Sequence, residues 1–258
     1  MNILIGDIGN TVTKLCLVST TNYKVKKILY LNSKKIPSSK YVIKLLKNIF
    51  TKTSIKKISL FSSVVPKHYS KLKKIFKNNF DIDLHEIKEK KIDQIITIKV
   101  KNTKQVGSDR IANAVGVYKK YKKNCIVVDF GTATTFDVVM KNGFYIGGVI
   151  APGVNLSIKS LVTSADQIPL FKIKKQNKII GKNTLEALQS GFYWGYSGLI
   201  NNIILKIQKE TKKKFKIVFT GGFADLFKSS IIRPFAIDKN ITIKGIIEIF
   251  KQNKKKLN

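Results

Sequence analysis

Apolar positions along this chain change period repeatedly, from short continuous runs to helical spacing and back. Ile3-Leu4-Ile5 opens one run, and Leu15-Cys16-Leu17-Val18 follows a polar break at Gly9-Asn10-Thr11. Runs of this length, bounded by turn residues, predict buried strands. From Tyr41 to Phe50, Val42, Leu45, Leu46 and Ile49 recur at helical intervals. The segment Pro66 to Phe80 puts Tyr69, Leu72, Ile75 and Phe76 on one face, and its leading proline suits the first helical position. Ile111, Ala114, Val115 and Tyr118 form a further stripe. Asn183 to Ile207 is the longest predicted helix, with Asn183 as N-cap and Glu186 three residues on. Phe215 to Phe219 reads as a short strand that runs into Thr220-Gly221-Gly222. Alternation of this kind predicts an α/β class with mixed sheets covered by helices.

One pattern occurs twice. Ile3 to Ile8 leads into Asp7-Ile8-Gly9-Asn10-Thr11 and a second β-rich run, Val12 to Val18. Cys125 to Val128 leads into Asp129-Phe130-Gly131-Thr132 and a second run, Ala133 to Val139. Each copy is a strand, a tight turn carrying Asp-x-Gly, and a strand. The echo predicts two homologous halves, 1–120 and 121–258, joined near Lys119 to Asn124.

Composition narrows the class. The chain has 258 residues, 43% of them hydrophobic, enough for a buried core and against disorder outside the tail Lys254 to Asn258. No charged segment, apolar core and small-residue cleavage site follow one another at the start, so no signal peptide is expected. No apolar run is long enough to span a bilayer. Cys16 and Cys125 sit in strand-like runs and read as buried free thiols of a reducing cytoplasm. The net charge of +34 invites a nucleic-acid reading, yet arginine occurs only at Arg110 and Arg233 and the lysines are scattered. Base readout favours arginine, so the pattern describes a solvated surface with salt-sensitive affinity for polyanions and no specific nucleic-acid site. His68 and His85 have no metal-ligand partners at a suitable spacing.

The Asp-x-Gly turns carry candidate chemistry. Glycine lets backbone N–H groups approach phosphate oxygens, and Asn10, Thr11 and Thr13 add side-chain hydrogen bonds. An aspartate beside a phosphate is better suited to Mg²⁺ than to the anion, and Lys14 offers charge to a transferring phosphoryl group. One copy would be an ordinary hairpin; two, each followed by a Thr-bearing strand, favour a phosphate site. Gly107-Ser108-Asp109-Arg110 stands directly before a predicted helix. Asp109 could simply cap that helix. It could also, as an ionised carboxylate, accept the proton of an attacking alcohol, while Arg110 offers a planar fork to an anion.

Taken together, Asp7-Ile8-Gly9-Asn10-Thr11, Gly107-Ser108-Asp109-Arg110, Asp129-Phe130-Gly131-Thr132-Ala133-Thr134-Thr135, Gly147-Gly148 to Pro152-Gly153, Gly181-Lys182-Asn183-Thr184 and Thr220-Gly221-Gly222 resemble the type III pantothenate kinases. The resemblance runs from Met1 to about Leu226. It implies two duplicated ribonuclease-H-like domains of the actin-like ATPase superfamily, which also holds acetate kinase, sugar kinases and Hsp70. It implies a cytoplasmic kinase that phosphorylates pantothenate with ATP to 4′-phosphopantothenate, the first committed step toward coenzyme A. By this resemblance Asp7, Ile8, Gly9, Asn10, Thr11, Val12, Thr13 and Lys14 hold the ATP phosphates, with Asp7 on the Mg²⁺ side, and Thr132 contacts ATP. Gly107, Ser108, Asp109, Arg110 and Thr184 contact pantothenate, with Asp109 as general base. Asp129 holds a monovalent cation, K⁺ or NH₄⁺, and the chain forms a homodimer. Ser108 stands where the family usually has alanine, Val100 where an aromatic residue is common, and Thr103 where proline is usual. Two other readings remain open: another small-molecule kinase or phosphatase of the superfamily, and a non-enzymatic regulator. Retention of Asp7, Asp109 and Asp129 argues against the regulator.

Overall fold

A computed structural model of the chain describes residues 1–50, 54–90, 94–232 and 235–254. Arg233 and the tail residues 255–258 lie outside the described residues. Among the described residues, eleven strands and six α-helices follow one another. The first stretch carries β1 (Asn2–Ile8), β2 (Val12–Ser19), β3 (Val25–Asn32), α1 (Ser39–Phe50), β4 (Ile55–Ser63), α2 (Pro66–Phe80), β5 (Asp83–Glu86), β6 (Thr97–Ile98) and α3 (Ser108–Tyr121). The remainder carries β7 (Cys125–Phe130), β8 (Ala133–Val139), β9 (Phe144–Pro152), α4 (Val154–Ser164), α5 (Thr184–Thr211), β10 (Lys216–Gly221), β11 (Phe235–Ile237) and α6 (Ile241–Asn253).

These elements form where local chemistry asks for them. The predicted stripes bury Val42 and Leu46 on α1, and Leu72, Ile75 and Phe76 on α2. Helix α2 stops at Asp81, whose backbone turns left-handed at φ 49° while its N–H bonds the Lys77 and Phe76 carbonyls. Helix α5 starts where Asn183 accepts the Glu186 amide at 2.9 Å and the Glu186 carboxylate accepts the Lys182 amide at 2.9 Å.

The internal echo becomes a repeated topology. One sheet has the order β3-β2-β1-β4-β5, and the other contains the run β9-β8-β7-β10-β11. In both, the first strand pairs antiparallel with the second and parallel with the fourth. The second pairs antiparallel with the third, and the fourth parallel with the fifth. This is the ribonuclease-H-like arrangement made twice. Central β1 is buried on both faces, with Ile3, Leu4 and Ile5 fully covered, which is why its sequence is continuously apolar.

The chain divides into two units, residues 1–120 with Asn240 onward, and residues 121–239. Helix α6, which the sequence reading grouped with the second half, therefore belongs to the first unit. It buries Ile243, Ile246, Ile249 and Phe250. Its contact with α3 depends on two glycines. A Cβ at Gly116 would stand 2.5 Å from the Ile241 carbonyl oxygen, and one at Gly245 would overlap the Ala112 carbonyl. The Thr242 hydroxyl donates to Asn113 Oδ1 at 2.7 Å in the same buried seam. Nothing in the hydrophobic period of α6 specifies which unit it joins; backbone-close packing at Gly116 and Gly245 does.

Candidate active site

In the first unit, β1 and β2 pair so that Asp7 lies directly opposite Lys14 and Ile8 opposite Thr13. The Gly9 amide donates to the Val12 carbonyl at 3.2 Å and closes the turn, leaving Asn10, Thr11 and Val12 exposed at its tip. Thr13 points the other way, fully buried, with its hydroxyl 2.9 Å from that of Ser33. So Thr13 anchors the turn, while Asp7 and Lys14 are only partly covered. On the other side of β1, β4 brings Ser62 level with Asp7, and the Ser62 hydroxyl donates to Asp7 Oδ1. That bond orients the carboxylate.

The segment after Ser62 ties this turn to the second motif. The Val64 amide donates to the Ile8 carbonyl at 3.1 Å, and a methyl of Val64 lies 3.7 Å from where a Cβ at Gly107 would stand. Gly107 precedes α3, and its carbonyl accepts the Ile111 amide at 3.1 Å. Asp109 sits in the first turn, its Oδ1 accepting the Arg110 amide at 2.8 Å. Burial pushes the Asp109 carboxyl above the usual carboxylate range. The Arg110 amide, its guanidinium and the Lys88 ammonium pull back against that rise. Ser108 is buried. It lies beside Glu86, whose carboxyl is also raised by burial and held down in part by the Ser108 hydroxyl and the Lys88 amide.

The second unit repeats the strand–turn–strand with one residue fewer in the turn. Asp129 faces Thr135 across β7 and β8, so a threonine occupies the register position that Lys14 holds in the first unit. The Gly131 amide donates to the Ala133 carbonyl at 3.0 Å, with Thr132 beside it in the turn. On the far side, β10 sets Thr220 level with Asp129. Gly221 then takes φ +85°, and a Cβ there would stand 2.6 Å from the Phe130 carbonyl oxygen and 2.7 Å from Asp129 Oδ1. The Gly222 amide donates to the same Phe130 carbonyl at 3.0 Å. The Thr220-Gly221-Gly222 turn is thus built onto the Asp129 strand. Thr184 opens α5, exposed, on the wall of a groove of about 650 Å³ lined also by Pro152, Leu188, Phe192, Tyr196 and Leu199.

Sequence reasoning missed three residues that matter here. Ser62 and Glu86 are brought to the motifs by β4 and β5, and Lys88 follows β5. Ser62 had a signal, the Ser62-Ser63-Val64-Val65-Pro66 step from strand to helix; Glu86 and Lys88 lie among other charged residues and had none.

Comparisons with known proteins identify the family. A model of the type III pantothenate kinase family matches residues 3–206. A type III pantothenate kinase of Pelagibacter ubique is 51% identical over 245 residues, covering 95% of this chain and 97% of its own length. One from Paramagnetospirillum magneticum is 38% identical over 195 residues, 76% of this chain and 75% of its own. Among solved structures, a Campylobacter jejuni protein named for the Baf family of transcriptional activators superposes with TM-score 0.62 at 21% identity, covering 98% of this chain and 99% of its own. MreB 5 of Spiroplasma citri, bound to AMPPNP, superposes with TM-score 0.55 at 13% identity, covering 99% and 97%. At such identities these two show the fold alone, which is the actin-like ATPase fold. The family model spans most of the chain and the Pelagibacter relative nearly all of it: the chain belongs to the type III pantothenate kinase family.

Proposed function

We propose that this chain transfers the γ-phosphoryl group of ATP to the primary hydroxyl of pantothenate, with Asp109 as the general base. Phosphorylation of pantothenate with ATP follows from the family. The residue roles are our own reading, and the observation that carries them is the setting of Asp109. It is a partly buried carboxylate with a raised pKa, in the first turn of α3, which Val64 joins to the Asp7 turn. A carboxylate whose pKa is raised toward the working pH accepts a proton more readily, and proximity to a phosphate turn is what phosphoryl transfer requires. In this reading the pantothenate hydroxyl gives its proton to Asp109 as its oxygen bonds to the γ-phosphorus. The bond to the β,γ-bridging oxygen breaks and ADP leaves. Gly107, Ser108 and Arg110 hold pantothenate around Asp109, and Thr184 is assigned a pantothenate contact by the family resemblance. Ile8 to Thr13 present the turn to the phosphates, Lys14 offsets the charge that develops in transfer, and Thr132 adds a hydroxyl contact to ATP.

Two ions enter this reading. Asp7, held by Ser62, offers a carboxylate of the kind Mg²⁺ takes beside phosphates. Among the described residues no group of three His, Cys, Asp or Glu side chains could hold a metal, so Mg²⁺ would draw its other ligands from ATP and water. When bound, it would neutralise phosphate charge. The Asp129 carboxylate, at the turn that Gly221 packs against, is the oxygen ligand this reading assigns to K⁺ or NH₄⁺.

A homodimer is supported by the apolar groove on α5. Gly191 and Gly195 have no atom of the described residues within 4 Å of a would-be Cβ, and Leu156 and Leu185 are exposed nearby on α4 and α5. A second copy is the occupant this reading assigns. No helix among the described residues is long and apolar enough to cross a membrane. Burial pushes the free thiols of Cys16 and Cys125 up to about 12 and about 11, keeping them protonated, in keeping with a reducing cytoplasm.

The test is ADP release from Mg-ATP with and without pantothenate, in K⁺ and in Na⁺. Pantothenate-dependent release that is faster in K⁺ is expected. Release that ignores pantothenate would refute the substrate, and equal rates in both salts would refute the cation site.

A further inference from the structure

The first unit holds a cavity of about 360 Å³ that none of the motifs accounts for. Its apolar side is Ile96, Ile98 and Ile111; its polar side is Lys88, Lys104 and Thr103. The volume lies at the lower end of small-molecule pockets, about 300–1,000 Å³. Ile111 fixes where the cavity is, because it lies on α3 two residues beyond Asp109, its amide bonded to the Gly107 carbonyl at 3.1 Å.

Lys88 is unlike the scattered surface lysines in being held at both ends. Its amide donates to Glu86 Oε2 at 2.7 Å, and its Nζ donates to the Lys104 carbonyl at 3.2 Å. One such bond still leaves an ammonium two N–H donors. Its charge is felt at Asp109, where it lowers the carboxyl pKa, so the ammonium lies within electrostatic reach of the base. An apolar wall, a pinned ammonium and a second lysine make a compartment for an amphipathic acid.

We propose that this cavity receives the carboxylate end of pantothenate, with Lys88, assisted by Lys104, as the residue that selects the acid over neutral alcohols. This rests on the kinase reading above. Pantothenate carries its reacting hydroxyl and its carboxylate at opposite ends of one chain. With the hydroxyl at Asp109, the dimethyl-bearing chain runs along the isoleucines and the carboxylate meets the ammonium. A charge-assisted hydrogen bond of this kind discriminates by about tenfold or more.

The experiment compares kcat/KM for pantothenate and for pantothenol, its neutral analogue with the same acceptor hydroxyl. The proteins are the unaltered chain, Lys88→Met, Lys88→Arg, Lys104→Met and Lys74→Met. Lys74 is an exposed lysine of α2 outside the cavity, and its variant controls for general loss of positive charge. The unaltered chain is expected to prefer pantothenate. Lys88→Met is expected to lose about tenfold more in kcat/KM on pantothenate than on pantothenol, since any change at Asp109 acts on both alcohols alike. Lys104→Met should show a smaller loss of the same kind, Lys88→Arg should keep the preference, and Lys74→Met should match the unaltered chain. An unaltered chain without preference, or a ratio unchanged in Lys88→Met while both alcohols are turned over, would overturn the subsite alone. Turnover of neither alcohol by the unaltered chain would overturn the kinase reading and the subsite with it.

Discussion

Gly221→Ala is expected to damage stability and cation dependence together. Gly221 holds φ +85°, where a residue with a Cβ is disfavoured by about 1–2 kcal/mol. The added methyl would also stand 2.6 Å from both the amide nitrogen and the carbonyl oxygen of Phe130. These are backbone atoms of the paired strand β7, so no side chain can swing away, and β10 must shift at an overpacking cost of about 1–3 kcal/mol. The sum is roughly 2–5 kcal/mol, which in a chain of this size lowers the melting temperature by roughly 5–15 °C. Because the same methyl would press on Asp129 Oδ1 at 2.7 Å, the K⁺ concentration for half-maximal turnover should rise as well. Gly222→Ala is the internal control: a Cβ there would stand 4.0 Å from the Phe130 carbonyl oxygen, an ordinary contact, and the change should fall within about 0.5 kcal/mol. Thermal melts and K⁺ titrations of the two variants decide the matter. If Gly221→Ala behaves like Gly222→Ala in both, the close approach of β10 to Asp129 is not what holds this turn.

Asp109→Asn should lose about 10²–10⁴-fold in kcat, measured by ADP release, while still folding and binding ATP; near-normal kcat would remove Asp109 as the base. The same variant should melt at a higher temperature than the unaltered chain at neutral pH. Burial raises the folded-state pKa, so the stability this site contributes is complete below the ordinary carboxylate pKa and is lost as pH climbs through the raised one. For that reason kcat/KM should rise with pH through a value above the ordinary carboxylate range, and a flat profile there would count against the assignment. Gly195→Leu, placed in the open groove of α5, should leave the fold intact and shift the chain toward monomer in light scattering; an unchanged dimer would move the interface elsewhere.

Much of the local structure could be read without coordinates. The stripe Leu72, Ile75, Phe76 behind Pro66 marks α2 from its first residue to its last. Asn183 and Glu186 mark the start of α5, and the twofold Asp-x-Gly pattern marks the repeated sheet topology. Each of these signals lies within a few residues of what it determines: a cap, a helical period, a turn between adjacent strands. Such interactions are written in neighbouring positions, so the sequence states them directly.

Other features joined residues far apart in the chain. Ser62 reaches Asp7 because β4 pairs parallel with β1 after a long crossover. Lys88 lies near Asp109 because the chain after β5 folds back toward the start of α3, and no pattern distinguishes it from its charged neighbours. Burial, not helix position, raises the Asp109 carboxyl, and burial is a sum over neighbours from several elements.

By itself, then, the sequence determined the elements, their duplication and the motif residues that mark the family, because those depend on short-range periodicity and turn chemistry. Only the tertiary structure decided that α6 returns to the first unit, that Ser62 orients Asp7, and that Lys88 and Lys104 line one cavity with Ile111 of α3. Those outcomes depend on strand register and on close packing of glycine-bearing backbones, which arise only when distant segments meet.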